Sequence, residues 1–235
     1  MKIFFRDNDI LHIISQSKTT NKKIAEKKET IVQTYHFSRD QFEEAKKQTT
    51  MRDFFSHDGA VCMDCPFAVS NGAKLSACYT HKGLQYSGFL SMLRSVNMEW
   101  DEITTLSETQ SATIIKMCDG KYVRFGTYGE PSLLPIGMVS QMTNVAKSWT
   151  GYTHQWRKVN HDYAKYFMAS THTTEEEYTA SLIGYRSFVA SPKTISQFIS
   201  CPASKEMGFI SNCSKCGLCS GTMGKGKKSV IILEH

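Results

Sequence analysis

The cysteines constrain this chain more than any other feature, because most of them fall into two short clusters. The sequence has 8 cysteines in 235 residues, well below the roughly 8–10% typical of a disulfide scaffold. Clustered thiols in a reducing compartment are typical of metal or redox chemistry rather than of disulfides. The sequence therefore predicts one or two metal centres. The clustered residues are Cys62, Cys65 and Cys78 in the first third of the chain, and Cys201, Cys213, Cys216 and Cys219 near its end.

The C-terminal cluster has the spacing of an iron–sulfur loop. Cys213, Cys216 and Cys219 read C-x2-C-x2-C, and thiolates this close in sequence wrap a cubane in bacterial ferredoxins. Gly217 permits the turn that such wrapping needs, and Cys201 would supply a fourth ligand. Zinc sites usually pair two distant knuckles. The spacing favours a [4Fe–4S] cluster, with zinc as the alternative and buried structural thiols as a third interpretation.

The N-terminal cluster is less complete. Cys62 and Cys65 form a C-x2-C knuckle and Cys78 follows twelve residues later, so three protein ligands are defined. His81, His57 or a distant cysteine could complete the set, or the fourth position could stay open for chemistry. A structural zinc knuckle completed by His81 is an equal interpretation. Cysteines from both clusters could also share one centre.

Charge and hydropathy bound the cellular setting. The net charge is +6, with 28 basic and 22 acidic residues. Residues 18–28 and 225–228 carry two lysine-rich stretches, which are interpreted as solvated surface or as a phosphate-contacting patch for nucleic acid. No run approaches the roughly 20 apolar residues of a membrane helix, and the first residues lack the apolar core of a signal peptide. The sequence predicts a cytoplasmic protein without a membrane partner.

Alternating strand and helix patterns indicate an α/β fold. Strands interleaved with helices imply parallel strands, so we expect a partial (βα) barrel or a parallel sheet with cysteine-bearing loops and a C-terminal cysteine-rich metal-binding segment. Residues 1–235 are interpreted as one domain, with an N-terminal appendage (1–29), an α/β core (30–190) and a cysteine-rich segment packed on it (191–235). Cys118 is assigned to core packing. The predicted strands are 30–37, 122–125, 148–153, 166–169 and 187–190, and the predicted helices include 84–96, 135–146 and one capped at Thr173 or Thr174.

Polar residues follow several predicted strands, where α/β folds place their chemistry. Arg124, Glu130, His154 and Arg157 are the candidate catalytic residues, with His172 nearby in the same pocket. A planar guanidinium suits a carboxylate or phosphate, and His154 is a candidate base or ligand. Three of them also have a structural interpretation: Arg124 and Glu130 as an ion pair, and His154 as a hydrogen-bonded structural side chain.

Five motifs occur in an order that resembles one protein family: CxxCP…CYxxxG, VRFGTYGEP, GYTHQWR, MAS…GYRSFV and CPASKE…CxxCGLC. From about Thr30 to the end, the chain is similar to a phage- and plasmid-associated cysteine-motif family, related to the phage "gene product 88" proteins and distantly to radical-SAM and iron–sulfur α/β barrels. The resemblance implies barrel-like topology, a cysteine-held cluster and a viral protein acting in a bacterial cytoplasm. The chain departs from the C-x3-C-x2-C loop of radical-SAM enzymes, which puts S-adenosylmethionine binding in doubt.

Three functions follow as hypotheses. The first is an iron–sulfur enzyme acting on a nucleotide or nucleic acid. The second is a metal-stabilised binding module that engages nucleic acid or inhibits a host bacterial protein. The third is a redox or iron sensor whose labile cluster controls partner binding.

Overall fold

The computed structural model describes residues 1–81 and 84–233. Their strands are β1 (Lys2–Asp7), β2 (Ile10–Lys18), β3 (Thr30–Ser38), β4 (Tyr122–Tyr128), β5 (Ser148–Thr150), β6 (Tyr152–Thr153), β7 (Met168–Thr171), β8 (Ser187–Ser191), β9 (Ile199–Ser200) and β10 (Val230–Leu233). Their α-helices are α1 (Arg39–Ala45), α2 (Met51–Ser56), α3 (Gly59–Cys62), α4 (Leu84–Arg94), α5 (Glu108–Cys118), α6 (Ile136–Val145), α7 (Thr174–Leu182) and α8 (Cys213–Cys216). Every helix in these ranges is too short or too polar to cross a lipid bilayer.

Two five-stranded sheets organise the chain, in the orders β1-β2-β3-β4-β5 and β6-β7-β8-β10-β9. The first sheet begins with the antiparallel pairs β1–β2 and β2–β3. All its other pairs, and all pairs of the second sheet, are parallel. Parallel pairing requires crossovers, which α5, α6 and α7 supply in part. The predicted α/β class with parallel strands is confirmed.

The two sheets meet at Gly151. β5 and β6 are halves of one extended segment: Ser148 pairs with β4, whereas Tyr152 pairs with Met168 on β7. Between them the Gly151 carbonyl accepts a hydrogen bond from the Met168 amide at 3.0 Å. A Cβ at Gly151 would collide with the Phe167 ring, so only glycine allows the sheets to approach here. The predicted strand 148–153 is therefore present, with this break at its centre.

The segment that precedes Thr30 forms part of the first sheet. β2 pairs with β3 along its whole length, from Ile10 opposite Ser38 to Lys18 opposite Thr30. Leu11 and Ile14 are fully buried, and they face opposite sides of the sheet because side chains alternate along a strand. Residues 1–29, separated as an appendage on sequence grounds, thus contribute two strands to the core layer.

Local sequence signals account for many element boundaries. Ser38 caps α1 with a full capping box to Gln41. Thr173 caps α7 by accepting from the Glu176 amide, as predicted. Gly184 follows α7 in the left-handed region at φ 90°. The strand predicted at 166–169 begins instead at Met168, because the Phe167 amide bonds back to the Tyr163 carbonyl in the preceding helical turn.

The sheets are covered on both faces. Helices α5, α6 and α7 pack one continuous core across both sheets, centred on residues such as Val123, Trp156 and Phe167. The opposite face of the first sheet is covered by α1, α2 and α4 through an aromatic cluster around Phe37 and Phe89. The opposite face of the second sheet carries the C-terminal cysteine-rich segment. This last layer places a cysteine group directly on parallel strands.

A buried histidine pair lies between β2 and β3. The Nδ1 atoms of His12 and His36 are 2.9 Å apart, and the His12 ring stacks on Phe5. Burial lowers the pKa of His12 to about 4 and the pKa of His36 well below its ordinary value. An unfolded histidine titrates near about 6.5. The unfolded chain therefore takes up protons first as the pH falls, and the folded state loses stability below about pH 6.5.

We expect the free energy of unfolding to fall between about pH 7.5 and about pH 5, by about 2 kcal/mol from His12 alone. Urea unfolding at both pH values measures it. His12→Gln should lose less stability than the wild type over this interval, because one buried titrating group is gone. His161→Gln, at an exposed position, should behave like the wild type. Equal losses in His12→Gln and the wild type would contradict this origin.

Candidate metal centres

The four C-terminal cysteines converge on one small cavity. Cys201 follows β9, Cys213 and Cys216 are the two ends of α8, and Cys219 lies in the next turn. All four line a cavity of about 20 Å³. A space of this size holds roughly one water-sized sphere. The cysteines predicted to form a site from spacing alone are therefore together in the structure, and all the chain's cysteines are free thiols.

The raised pKa values of these cysteines show that their thiolates need a nearby cation. Burial raises the pKa of Cys213 to about 11, and it also raises the pKa values of Cys201 and Cys219. Neighbouring thiols add to each shift, and every pair among the four interacts in this way. A metal bound among them would reverse the effect, because coordination deprotonates a thiol outright. The arrangement is poor for four bare thiolates and good for four thiolates around a cation.

The N-terminal loop supports α8. Asn212 caps α8 by accepting from the Lys215 amide, and Gly217 ends it in the left-handed region at φ 66°. The Cys213 amide donates to the Lys23 carbonyl at 3.0 Å, and the next amide donates to the Ile24 carbonyl at 2.9 Å. The Lys23 charge lowers the pKa values of Cys201 and Cys213 against the larger effect of burial. Part of the lysine-rich stretch 18–28 thus holds the helix that carries two of the four cysteines.

The sheet anchors the same segment from the other side. The Ser148 hydroxyl on β5 donates to the Ser214 carbonyl at 2.9 Å, and the Ser220 hydroxyl donates to the Trp149 carbonyl at 2.6 Å. The buried guanidinium of Arg186 donates to the Gly221 carbonyl at 2.8 Å and to the Lys228 carbonyl. These bonds fix the cysteine-rich turn to β5 and β8.

The N-terminal cysteines form a second, separate group. Burial raises the pKa of Cys65 to about 12 and the pKa values of Cys62 and Cys78 as well. The Cys78 thiol raises the pKa values of Cys62 and Cys65 further, and Cys65 adds to the effect on Cys62. Cys62 packs on the aromatic cluster of the first sheet, whereas Cys213 packs on the second sheet. The Asp58 carboxylate holds the intervening loop by accepting from the Val69 and Ser70 amides, at 2.8 Å and 3.0 Å.

Histidines surround this second group, and His154 is the one in contact with a thiol. Its Nε2 lies 3.8 Å from the Cys65 sulfur, and burial lowers the His154 pKa to about 4. The predicted ligand His81 points its Nδ1 at the Leu75 carbonyl, 3.1 Å away, and its ring lies on Phe55. The other sequence candidate, His57, faces Asp40 on α1.

Backbone amides reach three of the sulfurs. The amides of Phe67, Thr80 and Ala203 bond the thiols of Cys65, Cys78 and Cys201, each two residues earlier in the chain. Each bond lowers the thiol pKa against the larger effect of burial, because an N–H group stabilises the thiolate. Hydrogen bonds to sulfur also tune iron–sulfur centres. In both groups, backbone amides therefore stabilise the thiolate, which is the form of cysteine that binds metal.

Two of the four candidate catalytic residues adjoin the second group. Glu130 is buried, and its carboxylate accepts from the Ser132 hydroxyl at 2.8 Å and from the His154 amide at 3.0 Å. Burial raises the Glu130 pKa. Arg157 instead pairs with Glu176 at 3.0 Å and stacks on its neighbour's indole ring. The structure brings Glu130 and His154 together and turns Arg157 to another partner.

Arg124 lies between the two cysteine groups. Its guanidinium donates to the Tyr79 hydroxyl at 2.7 Å, next in sequence to Cys78, and its charge lowers the Cys213 pKa against the larger effect of burial. Among the described residues, no carboxylate forms a salt bridge with it, so the expected pair with Glu130 is not formed. Arg124 is half-buried. A half-buried cation with tyrosine partners is suited to an anionic ligand.

The fold and these residues together define a mixed α/β protein with two groups of partly or fully buried cysteines, one packed on each sheet. As the side chains lie, no three cysteine, histidine or acidic residues of the described ranges are arranged closely enough to hold one metal ion. Binding would therefore require small side-chain movements toward a common centre. No family model, curated protein or solved structure matches the chain.

Sequence reasoning missed the support provided by the chain's beginning. Residues 19–29 contact α8 by backbone bonds, by the Lys215–Glu26 ion pair at 2.7 Å and by the Ser214 hydroxyl, which donates to Glu29 at 3.1 Å. The acidic residues interleaved among the lysines were the available signal, because a purely solvated basic patch has no need of them.

We expect Asn212→Ala to cost about 1 kcal/mol in the free energy of unfolding, because α8 loses its cap. Hydrogen exchange at amides 213–216 should accelerate in this variant. Asn160→Ala is the matched control, since Asn160 caps a different turn through the Asp162 amide. It should cost a similar amount without changing exchange at 213–216. Unchanged exchange in Asn212→Ala would show that the cap does not hold the cysteine turn.

Proposed function

We propose that this chain binds a [4Fe–4S] cluster through Cys201, Cys213, Cys216 and Cys219. The observation that supports the proposal is the convergence of all four thiols on one cavity. Neighbouring thiols also raise the pKa values of Cys201, Cys213 and Cys219. The cluster would supply electron transfer or Lewis acidity. The protein's part is to hold the four thiolates and to supply positive charge from Lys23 and Arg124.

A barrel-like architecture is part of the same proposal. Strands β3, β4, β5 with β6, β7 and β8 are neighbours in chain order and run parallel, which is the arrangement of a partial (βα) barrel. In such folds the loops beyond the strands' carboxyl ends hold the chemistry, and Glu130 and His154 occupy these positions. The topology therefore favours an enzyme over a purely structural module.

Zinc in the C-terminal group is the second candidate, and one observation favours it. The cavity of about 20 Å³ accommodates a single ion, whereas a cubane requires α8 and Cys201 to move apart. Four-coordinate zinc among four thiolates is typical of structural sites. In that case the protein would be a binding module for nucleic acid or for a host bacterial protein.

The substrate class follows from Arg124. A guanidinium binds phosphate or carboxylate bidentately, and the exposed ring of Tyr79 beside it offers a surface for stacking a base. Together with the family resemblance, this supports a nucleotide or nucleic-acid substrate in a bacterial cytoplasm. The absent radical-SAM loop argues against S-adenosylmethionine as a second cofactor.

Anaerobically purified protein should show broad charge-transfer absorption, with about four iron and four sulfide per chain. Cys216→Ser should lose this absorption and most of the iron, because one of four ligands is removed. Cys118→Ala should keep both, since Cys118 is fully buried in the α5–α6 core. A colourless protein with stoichiometric zinc, after attempted cluster reconstitution, would replace the iron–sulfur proposal with the structural one.

We expect Arg124→Gln to weaken adenosine triphosphate binding about 10- to 100-fold, because a charged hydrogen-bond donor is lost. Equilibrium dialysis with the labelled nucleotide measures the affinity, and iron content on the same samples shows that the cluster is intact. Arg39→Gln, an exposed arginine on α1, controls for loss of general positive charge. Equal affinities in wild type and Arg124→Gln would exclude Arg124 from anion binding.

A further inference from the structure

The contact between Cys65 and His154 has the geometry of two ligands that share one metal ion. The His154 Nε2 and the Cys65 sulfur are 3.8 Å apart. Zinc–sulfur and zinc–nitrogen bonds of about 2.3 Å and 2.05 Å, held at a tetrahedral angle, place these atoms about 3.6 Å apart. The observed separation differs from this by a fraction of an ångström, so small side-chain rotations would admit an ion.

The other two members of the set lie at the two ends of the loop that carries Cys65. Cys62 and Cys78 each interact with Cys65 and with each other. Cys62 ends α3 and Cys65 follows its turn, where the Cys65 amide bonds the Cys62 carbonyl at 3.0 Å. Cys78 begins the helical turn Tyr79–His81. Three short elements therefore carry the three thiols, and one of these thiols contacts the imidazole.

We propose that Cys62, Cys65, Cys78 and His154 form a second metal site that binds zinc, with His154 rather than His81 as its fourth ligand. Three thiolates and one imidazole are a common closed zinc set. Such a site would tie the loop of residues 62–78 to the end of β6, a long-range link between the first sheet's helical layer and the second sheet. It does not depend on the identity of the C-terminal centre.

The surroundings of His154 are built to orient it. Its amide donates to the buried Glu130 carboxylate at 3.0 Å, and its ring lies edge-on to Phe67 with centroids 6.5 Å apart. Glu130 also acts electrostatically on Cys62 and Cys65. Groups that fix a ligand without touching the metal are a regular part of metal sites. The same carboxylate thus orients the histidine and faces the cysteines.

His81 is the competing ligand, and its side chain makes different contacts from those of His154. The His81 Nδ1 is directed to the Leu75 carbonyl, and its ring is packed on Phe55 with centroids 3.9 Å apart. Its Nε2 is buried without a hydrogen-bond partner in the described part of the chain. Paired variants of His154 and His81 can therefore show which of the two histidines binds the metal.

The test measures zinc, iron and sulfide per chain in four proteins: the wild type, His154→Ala, His81→Ala and His154→Cys. We expect His154→Ala to lose one zinc per chain, or to bind cobalt(II) at least about 10-fold more weakly in titrations followed by its tetrahedral absorption. His154→Cys should restore zinc binding, because a thiolate replaces the imidazole. His81→Ala should keep the zinc. X-ray absorption at the zinc edge should show nitrogen in the wild-type shell and lose it in His154→Cys.

Two results would overturn the proposal. Loss of zinc in His81→Ala, with full zinc in His154→Ala, would transfer the ligand role to His81. Full zinc in both, or a wild type that binds no zinc in this group, would reduce the Cys65–His154 contact to a hydrogen bond. Iron and sulfide on the same samples report the C-terminal centre independently. Absence of iron, with one zinc lost in His154→Ala, would overturn the iron–sulfur proposal alone.

Discussion

One short strand segment, Ser148–Thr153, connects nearly everything of chemical interest in this molecule. Its first half pairs with β4 and its second half with β7, so it belongs to both sheets. Ser148 holds the carbonyl of Ser214, beside Cys213, and Tyr152 lines the C-terminal cavity. The next residue, His154, contacts Cys65. Both cysteine groups are therefore attached to one strand, and its position depends on Gly151 lacking a side chain.

The second constraint is the cost of burying thiols that bind metal only when they are charged. Burial raises the pKa values of Cys62, Cys65 and Cys213, so each group is unfavourable as bare thiolates. The charged side chains near the two cysteine groups differ in sign. The C-terminal group has Lys23 and Arg124 nearby, whereas the N-terminal group faces Glu130. A cluster carrying net negative charge suits the first environment, and a dication suits the second.

Local patterns were sufficient to predict much of this structure from sequence, and long-range contacts were not. The cap at Thr173, the alternation of strands with helices and the C-terminal cysteine group were predictable, because each signal lies in residues near one another in the chain. The proximity of His154 to Cys65 joins positions 89 residues apart, whereas His81 is only three residues from Cys78. Sequence distance therefore favoured His81. The docking of residues 19–29 on α8 was harder to predict, because the interleaved acidic residues indicate ion pairs without showing their partners, and the backbone carbonyls that complete the contact have no sequence signature.

Arg124 is near both cysteine groups, and it therefore links them to anion binding. Its side chain donates to Tyr79, the neighbour of Cys78, and its charge reaches Cys213 in the other group. An anion bound by Arg124 would therefore lie beside one cysteine from each group. A metal in the N-terminal group would fix the loop that carries Tyr79, and a cluster in the C-terminal group would place its charge near the same guanidinium. Occupancy of either site should thus alter anion affinity, by positioning in one case and by charge in the other.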